Sequence, residues 1–401
     1  MPLRPSAALA IALAGCTSLV SCGRSDGTSG TTLAPLVTVG PTGTEVAASS
    51  TAPTTTVFVS DPASPLLTAL PQAGCVFADP PGGGEITFVV GDRLFGVQPD
   101  GTGARCLVTI APDMRGEVDW SPDARRAVIG AARLFDAAGH RATGFDPANQ
   151  RVQWEYPDGL GLLGPTATNN TLVRREAGNV EARTEVTFLA QTLYAVSHPA
   201  GQGIVASGSD LRGVSGVFFA DPVGDDARPL ATTGDGTQIP EVAVDAGGDA
   251  VYAIVGSGST FSVERIALAD LTVLEMSSEA SPAGRLTVGP AAGNVAWRVG
   301  LCNSVTELRV RDTRSGSTRS VDPATPLVGL SLAPVGFLDG VRLVLTARPL
   351  GCDGPADLWI WNLLDGSTTL LVKNVEFGSV RLPFPGSSRI TISPTAQPAQ
   401  L

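Results

Sequence analysis

Lysine is all but missing from this chain. Lys373 is the only one, and arginine carries nearly all of the positive charge. Histidine occurs twice, at His140 and His198, and aromatic residues make up only 5% of the 401 residues. Each scarcity excludes something. A formal net charge of −11 leaves no basic stripe for a nucleic-acid backbone. Few aromatics mean that small aliphatic and β-branched side chains must fill most of the core. The sequence has no Gly-x-Ser-x-Gly nucleophile elbow and no closely spaced Cys or His pair of the kind that holds zinc. No catalytic residue, metal or cofactor is therefore expected.

What is abundant is Gly (47) and Pro (31), in a chain that is 43% hydrophobic. That is the composition of a turn-rich globular protein. The opening "MPLRPSAALAIALAGCTSLVSC" sets one positive charge, Arg4, before an apolar run too short for a comfortable membrane span. Two short motifs, "LAGC" ending at Cys16 and "LVSC" ending at Cys22, resemble the processing site of bacterial lipoprotein signal peptides. In such proteins the cysteine becomes the lipidated N-terminus. The resemblance implies a signal peptide over residues 1–21, lipidation at Cys22 with Cys16 as the alternative, and an extracytoplasmic protein anchored to the cell membrane. An ordinary secretory signal with incidental cysteines is the competing reading. Residues 22–70 are rich in Thr, Ser, Pro and Gly and nearly uncharged, which reads as a disordered tether. A coil of ~45 such residues reaches about 35–40 Å.

Four cysteines remain, Cys75, Cys106, Cys302 and Cys352. In an exported chain they predict two disulfides, with three connectivities open. Their grouping favours Cys75–Cys106 and Cys302–Cys352.

Between residues 71 and 393 two patterns alternate. The first is an apolar alternation, a Pro/Gly/Asp turn and a second apolar run: "VDWSPDARRAVIG" from Val118, "VQWEYPDGLGLLG" from Val152, "YAVSHPAGQGIVASG" from Tyr194 and "VAVDAGGDAVYAIVG" from Val242. It continues in "LTVGPAAGNVAWRVG" from Leu286, "LSLAPVGFLDGVRLVL" from Leu330 and "VRLPFPGSSRITIS" from Val380. The second pattern closes on a polar turn that often holds Asp and Gly, as in "LFGVQPDGTGARCLVT" from Leu94 and "LWIWNLLDGSTTLLV" from Leu358. Both read as β-hairpins. Two hairpins per repeat of about 45 residues make the four antiparallel strands of a propeller blade. The expectation is an all-β chain, a single β-propeller of seven blades over 71–393, with six as the alternative and 394–401 as a disordered tail. The first outer hairpin lacks a preceding turn unit and the last turn unit lacks an outer hairpin. C-terminal strands joining the N-terminal blade would cure both deficits and remove the open edges. "EITFVV" from Glu85 and "RITIS" compete for one place in that blade.

The units "VDWSPD", "PDGTGARCLVT" and "LWIWNLLDGSTTLLV" resemble the repeats of TolB-like propellers, most closely at Trp120–Asp123 and around Asp365–Gly366. The resemblance covers most of residues 82–393. It implies a propeller used for protein–protein contact or ligand recognition at the cell envelope, with another envelope protein as the expected partner and a glycan or peptide as a further ligand class.

Candidate sites are few. His140 and His198 fall in turns and read as solvated. "GSGST" from Gly256 joins two strand-like runs rather than leading into a helix, so it does not cradle a phosphate. The acidic loop Asp221 to Pro229 lacks the spacing of a calcium loop, and turn chemistry accounts for its aspartates. A propeller enzyme of the lactonase type would bring carboxylates to the central channel, and Asp119 and Glu241 are the acidic exceptions on otherwise apolar inner strands. Trp359 and Trp361, two apart in a strand, share a face and are the expected ligand or partner contact.

Overall fold

The computed structural model describes residues 64–381 apart from short internal stretches, of which 79–83, 137–141, 144–151 and 166–171 are the longest. Cys16, Cys22, His140, Cys352 and residues 382–401 lie outside the described residues. No helix among the described residues is long and apolar enough to cross a membrane.

The strands form seven four-stranded antiparallel sheets, numbered here as blades 1 to 7. From inner to outer strand, blade 1 is Phe377–Arg381, Glu85–Val90, Arg93–Val97 and Arg105–Thr109. Blade 2 is Val118–Trp120, Arg126–Ile129, Arg133–Asp136 and the two-residue strand Ala142–Thr143. Blades 3 to 7 start from the inner strands Gln153–Trp154, Gln191–Ser197, Thr237–Val244, Ala283–Val288 and Ser331–Phe337. Successive inner strands touch one another all the way round, including blade 7 to blade 1 and blade 1 to blade 2. The alternating hairpins of the sequence are therefore the inner and outer halves of each blade.

Closure settles the competition noted in the sequence. Phe377–Arg381 is the innermost strand of blade 1, paired with Glu85–Val90 in the register Val380 to Ile86. "EITFVV" takes the second-strand place, and "RITIS" lies outside the described residues. The seam is held by a charge. Arg381 is fully buried and ion-paired with Glu85, itself 1% exposed. Arg105 reaches the same carboxylate at 2.9 Å. The Arg381 guanidinium also donates to the Ala78 carbonyl and lies 4.0 Å from the Trp120 ring of blade 2. Trp120 in turn donates its indole N–H to Thr87 of blade 1 at 3.0 Å. Gly96 makes room for this arrangement, because a Cβ there would fall 2.5 Å from a Glu85 carboxylate oxygen. Burial pushes the Glu85 carboxyl above its ordinary range, while Arg381 and Arg105 pull it back.

A second closure runs outside the ring. The Leu66 and Leu67 N–H groups donate to Leu370 and Leu371 on the outer strand of blade 7. Val76 donates to Cys106 on the outer strand of blade 1, and Cys75–Cys106 is a disulfide with a Cα separation of 4.5 Å. Residues 66 and 67, assigned to the tether on composition, thus belong to the folded body. Leu67 supplies the apolar contact, packing against the blade 1 and 7 core, while Leu66 stays exposed. Cys302 is disulfide-bonded as well, and its carbonyl accepts from Gly351 at 3.1 Å.

The Pro/Gly turns explain why the repeat is spelled as it is. Gly159, Gly201 and Gly248, at φ of +63°, +69° and +74°, are the turn glycines of blades 3, 4 and 5. A Cβ on each would lie 2.7, 2.8 and 2.4 Å from Pro122, Pro157 and His198, the turn residues of the preceding blade. Each turn nests in the next. His198 is correspondingly buried, against the expectation of a solvated turn residue. Its Nδ1 accepts from the Ala200 N–H, so Nε2 carries the proton and donates to the Gly248 carbonyl at 3.0 Å.

The five tryptophans all lie in the core. Trp359 and Trp361 share a face, as their spacing requires, but that face packs on Ala296, Leu308 and Leu332 between blades 6 and 7. They are 4% and 2% exposed and form no surface pair. Both faces of a blade are covered by neighbouring blades, so a one-sided aromatic stripe in a central strand is core. Arg381→Met keeps most of the side-chain volume and leaves the Glu85 carboxylate buried without its main partner. We expect a loss of about 3–5 kcal/mol, read from urea unfolding of the soluble propeller; a loss under ~1 kcal/mol would show that the seam does not depend on this pair.

Candidate functional site

The channel has a charged mouth on the face where each inner strand begins. A cavity of 290 Å³ opens there, lined by residues of blades 6, 7, 1 and 2 that include Glu117, Arg285, Arg298, Arg348 and Glu376. Thr287, Ser331 and Thr346 add hydroxyls. Glu117 of blade 2 and Arg285 of blade 6 form an ion pair across the mouth.

Arg285 is placed by a β-bulge. In blade 6, Gly284 faces Arg298 and Thr287 faces Ala296, so Arg285 and Leu286 together oppose Trp297 alone. Such an insertion re-aims side chains. The inner strands of blades 4, 5 and 7 have register shifts in the same region, between Thr192 and Tyr194, Gln238 and Glu241, and Pro334 and Gly336. Arg285 has φ +60° and is, among the described residues, the one non-glycine residue on an inner strand in the left-handed region. That conformation costs about 1–3 kcal/mol. The pair it permits is 39% and 49% exposed at its two side chains, and exposed pairs contribute about 0–1 kcal/mol. Stability alone does not account for the arrangement.

The two acidic residues singled out on inner strands have different surroundings. Glu241 is buried, and its Oε2 accepts the Leu286 N–H at 3.2 Å. It therefore serves a backbone group that the blade 6 bulge takes out of the ladder. Asp119 is half-buried between blades 2 and 3, where its carbonyl accepts the Trp154 indole N–H at 3.2 Å. Desolvation pushes its carboxyl well above the ordinary range; Glu117 nearby acts in the same direction, and the backbone N–H groups of Trp154 and Trp120 oppose it.

The acidic loop is a turn. Asp221 Oδ1 accepts the N–H groups of Asp225 and Val223 at 2.7 and 3.2 Å. Equivalent contacts hold Asp100, Asp270, Asp312 and Asp365 in other outer hairpins and keep their carboxyls below the usual range. Among the described residues no three His, Cys, Asp or Glu side chains are grouped as a metal site.

Sequence reasoning missed the mouth. Glu117 and Arg285 sit one step ahead of the apolar alternations from Val118 and Leu286, and Glu376 directly precedes the inner strand Phe377–Arg381. A charge at that repeat position was the available signal. A second feature shares this face: Leu301, Val305, Val328 and Leu350 are each at least half exposed. They occupy the loops between second and third strands of blades 6 and 7 and the connection between those blades. Leu211 and Val214 occupy the equivalent loop of blade 4.

The chain is a β-propeller of four-stranded antiparallel blades. No protein-family model matches it and no curated protein matches it. Solved structures do. One of two prolyl endopeptidases aligns at 17% identity and a TM-score of 0.52 over 70% of this chain and 46% of its own, so the chain spans less than half of that enzyme. A protein described as TolB from Agrobacterium tumefaciens aligns at 11% identity and 0.46, over 69% of this chain and 94% of its own. A protein described as a 6-phosphogluconolactonase from Bacteroides fragilis aligns at 13% and 0.49, over 75% and 99%. The likeness is one of fold.

The raised Asp119 carboxyl has a consequence for stability. The folded protein holds this proton more tightly than the unfolded chain, so the group's contribution is fully present below the ordinary carboxylate range and is lost as pH rises through the folded value. Asp119→Asn removes that loss. Its urea midpoint should exceed that of the wild type by a margin that grows from pH 4 to pH 8; a margin independent of pH would show that Asp119 titrates normally.

Proposed function

We propose that this protein is a non-catalytic, membrane-anchored scaffold outside the cytoplasm, and that it docks another envelope protein on the face carrying the channel mouth. The observation that carries this reading is the set of exposed aliphatic loop residues, Leu301, Val305, Val328 and Leu350, beside a charged cavity on one face. Apolar side chains ringed by charge are the usual composition of a protein-binding surface. The rigid blades hold those loops, and the Gly351–Cys302 hydrogen bond ties two of them together. Lipidation at Cys22, with Cys16 as the alternative, and the long polar segment that follows would hold the propeller near the membrane with reach to a partner. A glycan ligand loses its main support, because the aromatic pair proposed for it is buried.

A second reading has its own observation. Glu117 and Glu376 sit in the mouth with three arginines, a mixture that also serves propeller enzymes working with channel carboxylates. Turnover of a lactone by the wild type and not by Glu117→Gln would favour it.

The docking reading is tested by crosslinking in intact cells, with recovery from the membrane fraction and mass spectrometry. One envelope protein should be recovered repeatedly and fall about tenfold with the double variant Leu301→Asp, Leu350→Asp, whose unfolding midpoint should match the wild type. Equal recovery from the variant, or no protein partner from well-crosslinked cells, would overturn it.

A further inference from the structure

The mouth is built in a way that docking does not require, and the inference drawn here does not rest on that reading. We propose that the cavity at the start of the inner strands binds an oxyanion, a carboxylate or a phosphate, on Arg285, and that Glu117 is an internal occupant which the ligand displaces.

Three observations converge. The lining holds three guanidiniums, Arg285, Arg298 and Arg348, against two carboxylates, Glu117 and Glu376. Guanidiniums gathered in a concave, partly exposed site are the groups that recognise oxyanions by charge-assisted hydrogen bonds. Thr287 and Ser331 line the same cavity, and hydroxyl and guanidinium donors together are the set that planar or tetrahedral oxyanions select. Finally, Glu117 reaches across the mouth from blade 2 to meet Arg285 of blade 6, so one carboxylate already sits where the proposal places another.

Backbone geometry points the same way. The bulge at Arg285 and Leu286 holds the arginine in a left-handed conformation, and Glu241 from blade 5 satisfies the Leu286 N–H in that bulge. The neighbouring blade thus supports the conformation that aims the guanidinium. Because both partners of the Glu117–Arg285 pair are partly exposed, a ligand oxygen can replace the glutamate without opening the ring. The volume of 290 Å³ suits a small organic acid or inorganic phosphate, or the acidic end of a larger molecule.

Isothermal titration of the soluble propeller with citrate and, separately, with inorganic phosphate at low salt tests this. Two variants give opposite expectations. Arg285→Gly removes the guanidinium and places at φ +60° the residue best suited to it, so the unfolding midpoint should hold or rise while affinity falls about tenfold. Glu117→Gln removes the competing carboxylate and should tighten binding about threefold to tenfold. Citrate binding that follows this order assigns the site to carboxylates; phosphate binding that follows it assigns the site to phosphate. The proposal is overturned if neither anion binds the wild type or Glu117→Gln, or if Arg285→Gly binds as tightly as the wild type.

Discussion

A ring of blades has one place where the chain must find its own beginning, and here that place is governed by a buried charge. Arg381, at the end of the last described strand, meets Glu85 at the start of the first strand. Apolar packing favours closure, but the closing strand Phe377–Arg381 brings only Phe377 and Val380 to fix its register in this way. A buried arginine is different. Slipped by one residue, it would face away from Glu85 and leave two buried charges apart. The cation–π contact to Trp120 and the Trp120–Thr87 hydrogen bond carry the same condition into blade 2. One wrong register therefore leaves several polar groups unsatisfied together. We read the pair as a device for a unique closure rather than for bulk stability, in keeping with the general weakness of buried ion pairs as stabilisers. The strap through Leu66, Leu67 and Cys75 closes the same seam from outside by different means, backbone hydrogen bonds and a disulfide.

The blades between the two ends follow from smaller constraints repeated. A turn whose glycine must sit within van der Waals contact of the preceding turn fixes the distance between blades as well as the shape of the hairpin. This is why Pro and Gly recur together in the first pattern; in blade 4 it is His198, one position before Pro199, that meets the glycine of the next turn. The imidazole offers a flat apolar ring for Gly248 and a donor for its carbonyl. Between blades 5 and 6 polar links supplement the apolar core: Glu279 accepts from the Trp297 indole and pairs with Arg309. The same architecture tolerates either solution because each joint contacts only its neighbours.

These local rules also explain what could be read in advance. Alternating apolar residues and Pro/Gly turns specify hairpins, and hairpins in strict alternation specify blades, so the four-stranded repeat and the closure were legible from Val118 to Val380. The channel mouth was not. Its charged residues come from strand starts far apart in the chain: Glu117 and Arg285 are separated by 168 positions. Only the ring brings them together. The tryptophans were misread for a related reason. Alternation tells which residues share a face of a strand, but in a propeller both faces of the third strand are interior, so Trp359 and Trp361 have no solvent side to choose. Residues 66 and 67 read as tether because composition cannot reveal hydrogen-bond partners, Leu370 and Leu371, that lie 304 positions further along the chain.

Where stability explains the residues, the structure is consistent at every level: the turn glycines, the Asp-capped outer hairpins, the buried Glu241 that serves a bulged N–H. Arg285 is the exception on the inner strands. It combines an unfavourable backbone conformation with an ion pair too exposed to compensate for it. Local rules broken without a structural return are expected where a surface has been shaped for something outside the molecule. The exposed leucines and valines on the same face are a second departure, since small polar residues would serve those loops better in water. Both departures, Arg285 and these exposed aliphatic loops, share the face of the channel mouth, and the docking and anion-binding proposals rest on them.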